Sequence, residues 1–260
     1  MHLSHQKKLS IQGVIKKFSL SLILLILIFI GCLWGLLLLA DMVFEDKNLS
    51  FDEHIFALIH PYVNATNTGI IEVITFLGSQ NFLLPANILL VAYFLFIKKD
   101  KHDAWKVAAL GITSTAVLFL LKFLLQRERP LVPLISKAHG YSFPSGHTFS
   151  SVVFYGMLAY ISYKNISTNF IRWPLIAVLA LLAFMVGFSR VYLKLHYASD
   201  VIAGFCLGII WLLLAKWLLL KTEKIHYAKN RITDNTVKRI KKNLYNFYHP
   251  WIHRLLHLSV

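Results

Sequence analysis

Acidic residues are scarce in this chain. Only 12 Asp and Glu stand against 27 Lys and Arg, a formal net charge of +15, yet charged residues of both signs make up just 15% of the sequence. Ordinary soluble domains carry about 25% charged residues. With 57% of residues hydrophobic, the chain is far too apolar for a disordered basic tail. A basic nucleic-acid binder would cluster its Lys and Arg without long apolar runs, so no nucleic-acid partner is expected. Cysteine is nearly missing too: Cys32 and Cys206 lie inside apolar runs, with no CxxC spacing and no disulfide framework. Both read as inert small hydrophobes. No internal repeat or low-complexity segment is visible. What remains is a membrane protein whose positive charge is unevenly spread.

A bilayer core needs about 20 apolar residues of helix. The clearest run is 18–40, uncharged throughout and too long for a signal-peptide core. Further spans fall at 82–97, 105–125, 145–163, 173–192 and 200–220, the fourth weakly apolar and Ser-rich, as expected of a helix packed inside a bundle. The acidic stretch 41–81 reads as short helices on the outer membrane face. The expected fold is therefore all-α, a six-transmembrane-helix bundle over 1–221 with a basic amphipathic tail at 222–260. Six spans put both termini on one side, and 20 of the 27 basic residues fall there, so the termini are expected in the cytoplasm. Seven remain outside: Lys47, Lys122, Arg127, Arg129, Lys137, Arg190 and Lys194. Six of these occupy two short stretches, 122–137 and 190–194, and positive charge on the disfavoured side calls for an anionic ligand.

Three constellations carry the chemistry. In Lys122-x6-Arg129-Pro130 the two cations share a face if the helix continues to the proline. An ammonium and a planar guanidinium suit a phosphate; snorkelling toward headgroups is the alternative. In Phe143-Pro144-Ser145-Gly146-His147 a turn at a helix start offers backbone N–H groups to an anion, and Gly146 permits close approach. Ser145 could equally be a plain N-cap, whereas His147 could give a proton to a leaving group. In Ser189-Arg190-x5-His196-x3-Asp200 an arginine fork precedes a histidine and a carboxylate at i, i+4. The carboxylate can fix the imidazole tautomer, leaving the other nitrogen nucleophilic. A helix cap at Ser199 or Asp200 is the plainer reading.

Together and in this order, the three stretches resemble the tripartite signature of the type 2 phosphatidic acid phosphatase superfamily, the integral-membrane lipid phosphatases. The motifs cover 122–200, and the helical layout extends the likeness to about 18–221. The resemblance implies His196 as nucleophile forming a phosphohistidine, Asp200 behind it, and His147 protonating the departing lipid oxygen. It implies phosphate binding by Lys122, Arg129, Arg190 and Ser145-Gly146, with no metal and no other cofactor. The substrate it implies is a lipid phosphate or diphosphate: polyprenyl diphosphate, phosphatidylglycerophosphate or phosphatidic acid. In a bacterium the site would open to the outer side of the inner membrane. Many bacterial relatives carry Gly-Val before the third-motif histidine and Pro two residues after it; this chain has Lys194-Leu195 and Ala198. Lys194 adds charge at the site mouth, which would favour diphosphates or strongly acidic headgroups. The rivals are a lipid phosphotransferase and a non-enzymatic lipid-binding or transport protein on the same scaffold.

Other residues read more plainly. His249, His253 and His257 recur at four-residue spacing beside an apolar stripe and Lys238, Arg239, Lys241 and Lys242. That pattern suits a helix on the anionic cytoplasmic leaflet better than a metal stripe. His54 and His60 read as surface or packing residues, and His139 as a loop group that could contact a headgroup. Arg127 and Glu128 are expected to pair locally or face headgroups.

Overall fold

The computed structural model describes residues 2–45, 47–135 and 140–218, and among these no strand occurs. The chain runs through α1 (His2–Ala40, continued by a π turn at Asp41–Glu45), α2 (Ser50–Ile59), α3 (Ala65–Phe76) and α4 (Gln80–Ala92, with a π turn at Tyr93–Ile97). Then follow α5 (Lys101–Leu125), α6 (Gly146–Asn165), α7 (Asn169–Tyr192) and α8 (Ala198–Leu218). Short polar side chains start several of these, because first-turn N–H groups have no acceptor within the helix. Asn64 accepts from the Asn67 N–H at 2.9 Å, Ser79 from Phe82 at 3.3 Å, and Asp100 from His102 and Asp103, each at 3.0 Å.

Among the described residues, five stretches are long and apolar enough to cross a membrane: Leu22–Glu45, Ala65–Ile97, Lys101–Leu125, Asn169–Tyr192 and Ala198–Leu218. The second is longer than hydropathy alone suggests. The sequence reading starts it at 82, but α3 joins α4 across the turn at 77–79, so the apolar helical run begins at Ala65. Glu72 and the small polar residues of α3 dilute the signal there. Large apolar side chains such as Leu27, Trp34, Leu89, Phe119 and Leu181 are exposed on these helices. In water such surface costs about 25 cal/mol per Å²; against lipid tails it costs nothing comparable.

The helix α6 is not among the five, and the reason lies in its packing. Thr148, Phe149, Ser151, Val152, Val153, Phe154, Tyr155 and Met157 are all buried, and α7 packs along this helix. A helix wrapped by helices needs small and polar contact residues more than an apolar coat. Close approach is explicit at Gly204 of α8. A Cβ there would lie 2.9 Å from the Ser145 carbonyl oxygen and 3.0 Å from Thr148 Cβ, so α8 rests directly on the first turn of α6.

By its contacts the chain divides into two units, Met1–Leu214 and Ala215–Val260. Of the second, residues 215–218 are described and form the end of α8. The tail at 222–260, with His249, His253 and His257, lies outside the described residues, as do Lys137 and His139.

Candidate active site

The turn between α7 and α8 places the central histidine. Beyond Tyr192 the chain folds back on itself: the N–H groups of Leu195 and His196 both donate to the Arg190 carbonyl, at 3.1 and 3.2 Å. Lys194 takes a left-handed conformation to allow this, with φ 52°. His196 is thereby carried inward until only 1% of its surface is exposed. The next helix begins two residues later, and Asp200 in its first turn reaches back to accept the Tyr197 N–H at 3.0 Å. This is half of a capping box. The same oxygen, Oδ2, faces His196 Nδ1 at 3.4 Å and accepts from the Ser142 hydroxyl. Cap and histidine partner, alternatives in the sequence, are one carboxylate.

On the other side of the ring, His196 Nε2 lies 3.1 Å from Arg129 Nη1. A guanidinium has donors only, so Nε2 must supply a lone pair and Nδ1 must carry the proton. Burial pushes the imidazole pKa down, to about 3, against the pull of Asp200 and with help from Arg129 and Arg190. The ring is therefore neutral, with its free lone pair on the nitrogen that faces Arg129.

The first motif reaches this point by an unexpected route. Helix α5 stops at Leu125 and does not continue to Pro130; Gln126 turns left-handed at φ 45°, its N–H bonded to the Lys122 carbonyl. Lys122 and Arg129 thus share no helical face. They meet instead on the loop before α6. Lys122 Nζ donates to the Tyr141 carbonyl at 2.5 Å, and Arg129 donates to the carbonyls of Gly140 (2.8 Å), Tyr141 (3.4 Å) and Leu195 (2.8 Å). For Arg129 burial works against the charged form and Asp200 supports it.

The second motif opens α6. Ser145 holds the N-cap position, but its side chain makes no cap bond; its oxygen accepts from the Thr148 hydroxyl at 2.9 Å. Its N–H donates to the Asp200 carbonyl at 3.0 Å, which ties the start of α6 to the start of α8. A Cβ on Gly146 would press on Leu118 Cδ2 at 3.2 Å and touch Lys122 Cε at an ordinary 3.6 Å, so the glycine packs the start of α6 against these two side chains of α5. His147 comes within electrostatic reach of Arg190, His196, Arg129 and Lys122. Arg190 is 4% exposed; its Nη1 donates to the Thr75 hydroxyl at 2.7 Å, and its Nε is buried with no hydrogen-bond partner. Residues from three separated motifs are thus gathered around His196.

Sequence reasoning missed part of this set. Arg127 neither pairs locally nor faces headgroups: it binds Asp52 at 2.9 Å and Asp200 at 2.5 Å, because the left-handed turn at Gln126 points it inward. Ser142 and Thr75 also carried no signal, lying in segments without a motif. Lys194 lies over the Phe56 ring, its Nζ 5.7 Å from the centroid, and with Arg129 and Glu128 it lines a cavity of about 240 Å³. His54 and His60 are exposed.

The described fold and site are those of a helical membrane protein with a buried, cation-lined histidine centre. A family model for the PAP2 superfamily matches residues 103–224. Phosphatidylglycerophosphatase B of Bacillus subtilis is 32% identical over 186 residues, covering 69% of this chain and 89% of that protein. Undecaprenyl-diphosphatase of Sulfolobus acidocaldarius is 27% identical over 169 residues, covering 63% of this chain and 76% of that protein. The crystal structure of a transmembrane PAP2-type phosphatidylglycerolphosphate phosphatase from Bacillus subtilis matches with a TM-score of 0.68 at 27% identity, over 74% of this chain and 96% of that one. This chain is an integral membrane protein with several membrane-spanning helices. It belongs to the PAP2 superfamily.

Proposed function

We propose that the chain is a lipid phosphatase that hydrolyses a lipid phosphate or diphosphate through a phosphohistidine at His196. Enzymes acting on such esters are its relatives by family, and the chain is a phosphoric ester hydrolase of this kind. One observation carries the mechanistic reading: His196 presents a lone pair on Nε2 toward Arg129 while Nδ1 faces Asp200. Nε2 attacks phosphorus, the lipid P–O bond breaks, and His147 protonates the departing oxygen. As the ring becomes cationic, Asp200 stabilises it. Water then attacks the phosphohistidine, His147 takes its proton, and phosphate leaves. Lys122, Arg129, Arg190 and the Ser145-Gly146 turn hold the phosphoryl oxygens and neutralise their developing charge without a metal. The buried Nε of Arg190, unpartnered among the described residues, supports an anion at that position.

In the same reading α6 is a sixth span, the stretch 47–64 between the first two spans lies at the outer face, and the termini are cytoplasmic. The distribution of basic residues supports this orientation, with the site facing outward in a bacterial inner membrane. The tail at 222–260 is a separate segment lying on the anionic cytoplasmic leaflet. Polyprenyl diphosphate is the favoured substrate because Lys194 adds a cation beside the cavity next to Arg129.

Phosphate release from a panel of lipid phosphates in detergent tests the proposal, with chelator and vanadate controls. Release resistant to chelator, blocked by vanadate and lost in His196→Ala is expected. Full activity in His196→Ala, or inhibition by chelator, would overturn the mechanism. A newly phosphorylated lipid in place of free phosphate would make the enzyme a transferase.

A further inference from the structure

Asp200 has two carboxylate oxygens, and the chemistry above uses one. Oδ2 serves His196, Ser142 and the Tyr197 N–H. Oδ1 is held at 2.5 Å by Arg127, whose Nη1 also donates to the Ser199 hydroxyl at 2.8 Å. The other guanidinium nitrogen, Nη2, is bound by Asp52 of α2 at 2.9 Å, across 75 residues of sequence. Asp52 is fully buried and grips the start of α8 as well, accepting the Ser199 N–H at 2.8 Å and its hydroxyl at 2.7 Å. The Tyr197 ring closes the assembly, stacked 4.2 Å beneath the guanidinium carbon. The planar fork thus spans two carboxylates, one in the site and one outside it.

We propose that Asp52 and Arg127 form a positioning clamp that fixes the plane of the Asp200 carboxylate, and through it the His196 tautomer, so that α2 is a working part of the active site. The inference rests on His196 being the nucleophile. Neither clamp residue touches the phosphate. Their effect is on orientation: with Oδ1 pinned, rotation of the Asp200 carboxylate is blocked and Oδ2 stays toward Nδ1. Lysine at 127 keeps the charge but has no planar fork to bridge two carboxylates.

The test compares purified wild type with Arg127→Gln, Arg127→Lys, Asp52→Asn and the double variant Asp52→Asn/Arg127→Gln. Each is assayed for kcat and KM per folded enzyme on one lipid phosphate, with His196→Ala as control. A clamp predicts that Arg127→Gln lowers kcat about a hundredfold, the scale of an ångström of misplacement in an oriented site, with KM changed less than about threefold. Arg127→Lys recovers part of this loss, and Asp52→Asn loses about tenfold in kcat. The double variant is no slower than Arg127→Gln alone, because the two act as one unit. If Arg127→Gln does not fold, Asp52→Asn and Arg127→Lys carry the same kcat prediction. A kcat within twofold of wild type in the folded variants overturns the clamp, and a raised KM at unchanged kcat makes Arg127 a substrate contact instead. An inactive wild type or an active His196→Ala would remove the underlying reading, a different failure from an active wild type with indifferent clamp variants.

Discussion

Two arginines lie near Asp200 and its histidine, and they are furnished in opposite ways. Arg127 is held by two carboxylates, Asp52 and Asp200, and lies over Tyr197. Arg190 is buried at 4% exposure with a threonine hydroxyl on Nη1 and nothing on Nε, and among the described residues no carboxylate pairs with it. Taking a charge out of water costs several kcal/mol unless a partner offsets it. Arg127 has that offset inside the protein, so its charge serves the architecture. Arg190 lacks it among the described residues, as the proposed role in binding phosphate requires. Identical side chains are thus told apart by their partners: one charge is offset within the protein and the other is not.

The largest test of that contrast is Arg190→Gln. Its kcat/KM on a lipid phosphate should fall by about a thousandfold, the scale of losing one oriented donor to transition-state charge. Its melting temperature in detergent should hold or rise, since an uncompensated buried charge has been removed. Arg127→Gln should do the reverse to stability, losing about 3–5 kcal/mol by leaving Asp52 and Asp200 without their partner. The contrast breaks if Arg190→Gln melts far below wild type while Arg127→Gln does not.

A subtler effect follows from pH. The folded chain holds His196 near 3, whereas an ordinary histidine titrates at 6.5. Between these values the unfolded chain binds a proton that the folded one does not. The stability contributed by this group is therefore complete above pH 6.5 and is lost as pH falls toward 3. Melting curves from pH 7 to 4 should show the decline, and His196→Asn should flatten it. The smallest effect belongs to Lys194, left-handed at φ 52°. Lys194→Gly should gain about 1 kcal/mol by relieving that conformation. If Lys194 reads a distal phosphate, the same change lowers the diphosphate-to-monophosphate activity ratio; an unchanged ratio would leave the residue with a backbone role alone.

How much of this was legible in the sequence depended on range. His196 and Asp200 are four residues apart, and local spacing is enough to pair them. Arg190 stood out because a cation on the disfavoured membrane side demands a reason. The partnership of Arg127 with Asp52 had no such mark: it spans 75 residues, and one acidic residue among several in 41–81 cannot be singled out by pattern. The sequence span 105–125 ends where α5 ends, but the turn that follows was hidden, because Gln126 turns left-handed without the glycine that usually announces such a stop. The sequence reading also credits α6 with packing inside the bundle from its serines alone, since burial among helices leaves a compositional trace.

That early stop in α5 sets a rule of length. Phe123 and Leu124 point outward, 68% and 63% exposed, and can vary freely as long as they stay apolar. The number of residues between Lys122 and Pro130 cannot. One residue inserted ahead of Gln126 would rotate everything before it by about 100° relative to everything after, parting Lys122 from Tyr141 or Arg127 from Asp52. A library of this stretch should therefore accept many substitutions at 123 and 124 and almost no insertions or deletions. The segment is a spacer measured in residues, indifferent to much of what it is made of.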